Sequence, residues 1–317
     1  MEPYTPLRLD LSDERVRSAL FAEEKLRKHY AVSGTDHFVR LEKYDINLRV
    51  CEYGEGEPLL IVPGNTGDSF VFMPLIAELA GFKIFALNRP GGGLSDGFDH
   101  RAADFRQLAL DTLDTVTERF GLQNVPVIAH SMGAHWSLWH VGERHVPDRK
   151  IILLGVPGNV MECKPPFALR LASVPKLNSL LFQRITPKTA DHALRGLKFM
   201  GHPERTLSLL PREMSECYFR FQHLPHYKIS SLSLMEVTNN LSGSASDVHI
   251  DESYLQREIA QVKMLWGQND PFGSVREGSK IASAWNADFE VVGSGHLPWL
   301  DEPKRCGKLI TDFLHKV

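Results

Sequence analysis

Asn124-Val125-Pro126-Val127-Ile128-Ala129-His130-Ser131-Met132-Gly133-Ala134 is the stretch that decides how this chain folds. Its first half is an apolar run of strand length, and residues 132–145 continue with helical periodicity. Between them, Ala129-His130-Ser131-Met132-Gly133-Ala134 must turn strand into helix within a few residues. So sharp a turn demands small side chains two positions before and two after the serine, because the bent backbone draws neighbouring chain close. Ala129 and Gly133 meet that demand. The turn holds the Ser131 hydroxyl above the sheet edge, over a helix N-terminus whose N–H groups and dipole favour developing negative charge. A plainer alternative is a helix-capping serine after a buried strand. The rest of the chain chooses between them.

Working outward, residues 12–30 read as a densely charged helix with Val16, Leu20 and Phe21 as apolar positions. Residues 37–43 and 46–53 read as strands paired through a turn at Tyr44-Asp45. Strands are expected at 58–62, 82–87, 124–129 and 150–154, with helices over 70–79 and 102–120. This alternation predicts an α/β fold, a mostly parallel central sheet flanked by helices on both faces. From 158 to 248 the rhythm breaks into prolines, scattered histidines and short leucine- or phenylalanine-rich helical pieces, with no convincing strand. It resumes with strands at 261–266 and 288–292 and helices at 275–285 and 304–315. The expected organisation is one α/β core, residues 1–158 and 249–317, interrupted by a helical insertion at 159–248. Residues 242–246 read as a loop at the insertion's exit.

At the serine turn the chain resembles the α/β-hydrolase family, whose usual G-x-S-x-G motif is matched here with Ala129 in place of the first glycine. A serine is a poor nucleophile without a base, and the base needs an orienting group. In that family the acid follows a late strand and the histidine follows the last one. Trp266-Gly267-Gln268-Asn269-Asp270-Pro271 puts Asp270 after the late strand, and Gly293-Ser294-Gly295-His296-Leu297-Pro298 puts His296 after the last. The resemblance therefore implies Ser131 as nucleophile, Asp270 as orienting acid 139 residues later, and His296 as base 26 residues after that. Asp270 also suits a turn before proline. No acid follows the 150–154 strand until Glu162.

The resemblance also implies an oxyanion hole made by the amides of Met132 and of Asn65 in Pro63-Gly64-Asn65-Thr66-Gly67, with Thr66 as the alternative donor. Pro63 stands where relatives usually carry histidine. Dehalogenating relatives place asparagine at the Asn65 position too, but they require an aspartate nucleophile. Asn88-Arg89-Pro90-Gly91-Gly92-Gly93-Leu94-Ser95-Asp96 is similar to the family segment after the fourth strand. Its glycines serve a tight loop, since neither a Gly-Lys-Ser/Thr helix start nor a dinucleotide fingerprint accompanies them.

Composition bounds what this site can serve. The 317 residues carry 36 basic and 39 acidic side chains, a net charge of −3, which removes the electrostatic case for a nucleic-acid binder. No apolar run reaches the ~18 residues of a membrane span, and the N-terminal MEPYTPLRLDLSDER lacks a signal-peptide pattern. A cytoplasmic protein is expected, with homo-oligomerisation left open. Cys51, Cys163, Cys217 and Cys306 stand far apart, as small buried hydrophobes do. His130, His135, His140 and His145 recur every fifth residue, a spacing that fans them around a helix and off any common metal. His202, His223 and His226 are expected on the insertion's inner surface. No cofactor and no metal is called for. The insertion resembles the helical cap of the family; roofing the site with Phe167, Leu169, Leu177, Leu180, Leu181, Phe182 and Phe199, it would favour a small to medium apolar substrate. The implied activity is hydrolysis of a carboxyl ester or lactone. The alternatives are carbon–carbon bond hydrolysis of a diketone, which needs Arg170, Arg184 or Arg195 in the pocket, and a small-molecule receptor; a lyase or cofactor-free haloperoxidase shares the same triad.

Overall fold

Among the described residues the chain forms ten strands: β1 Gly34–Leu41, β2 Ile46–Tyr53, β3 Glu57–Val62, β4 Phe82–Leu87, β5 Val127–His130, β6 Ile151–Leu154, β7 Asn239–Asn240, β8 Gly243–Ser244, β9 Val262–Trp266 and β10 Asp288–Val291. They come from a computed structural model that describes residues 6–65, 68–146, 148–156, 158–245, 247–252 and 261–316. Eight form one sheet in the order β1-β2-β4-β3-β5-β6-β9-β10, and β7 with β8 makes a separate hairpin. β2 runs antiparallel to both β1 and β4, whereas every other neighbouring pair in the large sheet is parallel. Both faces are buried. Leu60 and Val62 of β3 pack into one core cluster while Leu59 and Ile61 pack into the other, and Val127 and Ile128 of β5 divide in the same way. This is why these strands read as continuous apolar runs rather than alternating ones.

Helices cover the two faces. Helix α1 (Glu14–His29) starts on the Asp13 side chain, which accepts from the Arg15 amide. It docks by Val16, Ala19, Ala22 and Leu26, and by Glu23, whose carboxylate meets Arg49 of β2 at 2.7 Å with both side chains 1% exposed. Arg49 also pairs with Asp36 at 2.7 Å. The helix expected over 70–79 is instead a 3₁₀ turn, Ser69–Phe72, followed by the short helix α2, Met73–Ile76. Pro74 is the reason: it lacks an N–H and is tolerated only in a helix's first turn. Helix α3 (Phe105–Phe120) starts later than expected, on Asp104, and stops at left-handed Gly121. Helix α4 (Met132–Arg144) follows β5.

Between β6 and β9 the described residues form the helices α5 Phe167–Leu171, α6 Leu177–Ile185, α7 Ala190–Ala193, α8 Arg195–Phe199, α9 Glu204–Leu209, α10 Arg212–Phe221 and α11 Tyr227–Thr238. The β7–β8 hairpin that follows was not expected; its tip is the two-residue Leu241-Ser242 loop. Ser246 of the expected exit loop lies outside the described residues. Helix α12 (Val275–Ala284) opens with a capping box between Ser274 and Glu277, and α13 (Pro298–Asp301) and α14 (Pro303–Leu314) close the chain.

Sequence order reverses at β3, which is flanked by β4 on one side and β5 on the other. At such a switch point, the loops leaving the C-terminal ends of adjacent strands diverge and leave a crevice. The loop after β3 and the turn after β5 face each other there.

Candidate active site

Ser131 sits in that turn with φ 50° and ψ −123°, a conformation that side-chain-bearing residues rarely adopt. What holds it is close packing. A Cβ on Gly133 would fall 2.2 Å from the Val62 carbonyl oxygen, so only glycine lets α4 approach the end of β3. The Ser131 amide donates to the carbonyls of Leu154 (3.2 Å) and Gly155 (2.9 Å) beyond β6. The hydroxyl does not cap α4, leaving it available for other work.

Asp270 and His296 meet. His296 Nδ1 and Asp270 Oδ2 are 2.8 Å apart, with side chains 3% and 0% exposed. The other carboxylate oxygen accepts the Phe272 amide at 2.9 Å. The Phe272 ring then stacks on the imidazole at 4.1 Å between centroids. With Nδ1 directed at a carboxylate, the imidazole's Nε2 faces away from the acid; it is buried and no protein hydrogen bond reaches it among the described residues. Ser131 and His296 share one neighbour, Gly155. Its carbonyl accepts the Ser131 amide, and a Cβ on it would fall 2.9 Å from His296 Nδ1. No hydrogen bond joins the Ser131 hydroxyl to the imidazole among the described residues; such contacts often tighten only around bound substrate.

The second flank is the loop after β3. A Cβ on Gly64 would fall 2.7 Å from Ser131 Cβ, so this loop lies directly against the serine. The Gly64 carbonyl accepts from Arg89 Nε at 3.0 Å and also from Arg89 Nη2. A trans peptide points its C=O and the next N–H in opposite directions. Arg89 therefore turns the Asn65 N–H away from itself. Asn65 is half-buried, and its Oδ1 is buried with no hydrogen-bond partner among the described residues. On the other side Met132 opens α4, where a first-turn amide has no acceptor within the helix. Thr66 and Gly67 lie outside the described residues. Arg89 is 1% exposed, with its guanidinium 5.0 Å above the Trp136 ring. Burial lowers its pKa to about 10, so it stays charged at neutral pH, whereas burial pushes Asp68 up to about 8. His130 lies 4.9 Å from the His296 ring, and burial first, then His296 beside it, hold it neutral.

The helical insertion reaches into this arrangement through Met200, Gly201, His202 and Thr206. Met200 O accepts the His296 amide at 2.8 Å, and Gly201 O accepts the Ser294 hydroxyl at 2.8 Å. Gly201 also lies so close to the Asn269 carbonyl that a Cβ would fall 2.1 Å from it. His202 accepts the Leu297 amide on Nε2 at 3.3 Å and therefore carries its proton on Nδ1, 3.1 Å from the Asp301 carboxylate. Asp301 in turn accepts the amides of Ser294 and Gly295, each at 2.9 Å, and the Thr206 hydroxyl at 2.5 Å. Burial raises the Asp301 pKa, but these donors outweigh it and hold the carboxyl below its ordinary range.

Comparison with known proteins decides the family. The family model described as the alpha/beta hydrolase fold matches residues 57–303. The chain is an α/β-hydrolase. Among solved structures, carboxylesterase CesB from Bacillus subtilis superimposes with a TM-score of 0.71 at 14% identity, covering 95% of this chain and 99% of that one. Naproxen esterase from Bacillus subtilis gives 0.68 at 13%, covering 96% and 99%. The 2-hydroxy-6-oxo-6-phenylhexa-2,4-dienoate hydrolase from Rhodococcus sp. strain RHA1 gives 0.71 at 16%, covering 90% and 100%. At such identities the likeness concerns the fold. No curated protein matches the sequence.

Several sequence expectations about this α/β-hydrolase need correction. Of the side chains expected to roof the site, Phe167, Leu177, Leu180 and Phe199 are exposed, and Leu169, Leu181 and Phe182 are half-buried. Arg184 and Arg195 are also exposed, and Arg170 donates to the Leu241 carbonyl. Of the insertion's histidines, His202 is bound to the core loop, His223 donates from Nδ1 to the Phe219 carbonyl at 2.7 Å, and His226 is buried with its Cβ against Gly97. The histidines of 130–145 do diverge: His135 turns to Asn159, His140 to Asp114 and Arg149, and His145 ends α4. All four cysteines are buried and free, and burial pushes the Cys163 thiol up to about 12. Two open surface clefts, of about 700 and 660 Å³, contain neither Ser131 nor His296. Arg89 and His202 are the residues near the site whose parts the sequence reading missed. An arginine two residues past the buried strand β4 was the local cue to the first, though it names no partner; nothing local marked the second.

Proposed function

We propose that this α/β-hydrolase is a serine hydrolase acting on a carboxyl ester or lactone of small to medium size through an acyl-enzyme. The observation that carries the reading is the buried Asp270–His296 contact of 2.8 Å next to a serine held at positive φ, both packed on Gly155. Asp270 keeps the His296 proton on Nδ1 and leaves Nε2 to take the Ser131 proton. The freed Ser131 oxygen attacks the acyl carbon. The amides of Met132 and Asn65 stabilise the oxyanion, and His296 returns its proton to the departing alkoxide. Water then gives a proton to the same Nε2 as its oxygen attacks the acyl carbon, and His296 returns that proton to the departing Ser131 oxygen, releasing the acid. No cofactor enters this cycle. The Phe272 ring stacked on His296 sets an aromatic group beside the base, which suits an apolar acyl group. The helical insertion acts as the cap.

Labelling with a fluorophosphonate probe, followed by a panel of esters, lactones and diketones, tests the reading. Ser131→Ala is expected to abolish labelling and to lower ester turnover by several orders of magnitude, in keeping with a loss of about 10⁶ for removing such a nucleophile. Undiminished labelling of that variant would place the nucleophile elsewhere. Preferential turnover of diketones would move the assignment to carbon–carbon hydrolysis, and ligand-induced stabilisation without turnover would make the protein a receptor.

A further inference from the structure

Helix α6 is amphipathic the wrong way round for a helix that only packs on its own protein. Its inner face is anchored by Asn178, which donates to Glu236 of α11 at 2.6 Å, and by Phe182, 5.8 Å from the Tyr227 ring. The opposite face carries Leu177, Leu180 and Arg184, which at about 100° per residue fall within about 60° of one another. Leu177, Leu180 and the terminal Ile185 are 37%, 61% and 74% exposed. The surface continues onto α5. There Phe167 is 61% exposed beneath the Arg170 guanidinium, and Arg170 reaches the carbonyl of Leu241, itself 57% exposed. Of the eleven large apolar side chains exposed among the described residues, seven lie between Phe167 and Leu241.

Charge is segregated on the same segment. Residues 164–190 hold five basic side chains (Lys164, Arg170, Lys176, Arg184 and Lys188) and no acidic one, whereas the rest of the chain holds 31 basic and 39 acidic residues. Lys164, Lys176, Arg184 and Lys188 are exposed, and no carboxylate pairs with them among the described residues. Of the acids around the segment, Glu236 of α11 is engaged by Asn178 and by Arg101 at 3.2 Å, and Glu162 pairs with Lys280 at 2.9 Å. Leucine, isoleucine and phenylalanine interleaved with free cations match an anionic bilayer surface. Apolar side chains enter the acyl boundary while lysine and arginine stems lie along it and their charges meet lipid phosphates. An acidic protein surface would account for the cations but not for the outward aliphatic row.

We propose that the α5–α6 face of the insertion docks on an anionic lipid surface. The test is co-sedimentation of the full-length protein with phosphatidylcholine vesicles, with and without about 30% phosphatidylglycerol, at about 0.1 and 0.5 M salt. Binding is expected only with phosphatidylglycerol, and it should weaken at high salt. Lys176→Glu/Arg184→Glu is expected to lower partitioning at least about tenfold, since each basic residue contributes about fivefold. Leu180→Asp/Ile185→Asp should lower it comparably at either salt concentration. All changed side chains are exposed, so thermal melting should be unaltered and would register any misfolding. Equal partitioning to both vesicle types, or unchanged partitioning of both double variants, overturns the proposal. So does self-association or capture of an acidic protein through this face without vesicle binding. The outcome is independent of whether Ser131 is a nucleophile.

Discussion

Arg89→Met isolates the part of the site that the chain hides best. In the native protein two guanidinium N–H groups converge on the Gly64 carbonyl, and peptide planarity transmits that hold to the Asn65 amide. Methionine keeps much of the bulk over Trp136 but removes both donors. The Asn65 N–H is not deleted, only released. Losing one oxyanion donor outright costs about 10²–10³ in kcat, so a loosened donor should cost about 30- to 100-fold, or about 2 to 3 kcal/mol of transition-state stabilisation. Because the donor serves the oxyanion and not the ground-state ester, KM should change by less than about threefold. Stability should fall separately, by about 1–3 kcal/mol, since the Gly64 carbonyl is left buried without a donor. The assay is pre-steady-state acylation by a p-nitrophenyl ester, read as burst rate against substrate concentration, with melting followed in parallel. Arg89→Lys, offering one non-planar donor group, should fall in between. A variant that loses the stability but keeps the native burst rate would refute the reasoning and reduce Arg89 to a packing residue.

Other expectations concern the surroundings. His202→Ala removes the acceptor of the Leu297 amide and a partner of Asp301; kcat should fall about tenfold with a shifted pH profile for acylation, and a pure loss of melting temperature would contradict a positioning role. Glu23→Ala leaves Arg49 buried with only Asp36 to balance it, and denaturant titration should show a loss of about 3 kcal/mol. Burial lowers His100 and His135 to about 3 and His140 and His226 to about 4. The unfolded chain takes up those protons near pH 6.5 and the folded one does not, so stability is intact above about pH 6.5 and drains as pH falls toward 4, by roughly 2 kcal/mol per histidine at pH 5. Flat stability from pH 7 to 5 by chemical denaturation would contradict neutral burial.

What the sequence made legible follows local rules. Ala129 and Gly133 around Ser131, and the strand ends preceding Asp270 and His296, could be read because a turn's steric demands and a strand's apolar run are both written in adjacent residues. Arg89 could not, because its partner is a carbonyl in another loop and a carbonyl has no residue signature. His202 was expected on the insertion's inner surface, but its partners could not be read for the same reason: what it binds belongs to the far end of the chain. The helix expected over 70–79 failed on Pro74, whose cost a count of apolar positions ignores. The cap leucines failed on direction. Taking Asn178 as the inward position of α6 puts Leu177, Leu180 and Arg184 outside, whereas tallying apolar residues placed them over the substrate.

The backbone of Met200, Gly201 and His202 has a consequence for how such an enzyme could be rebuilt. A roof that merely shelters a cleft can be trimmed or exchanged between relatives, and the chemistry beneath survives. Under the function proposed above, the roof supplies the acceptor for the amide of the base, His296, and a wedge against the carbonyl preceding Asp270. Swinging it aside as one body would unfasten His296 at the moment the door opens. Admission and reaction therefore have to alternate, and a chimera bearing another enzyme's roof would inherit its selectivity only if it also inherited these three residues' backbone.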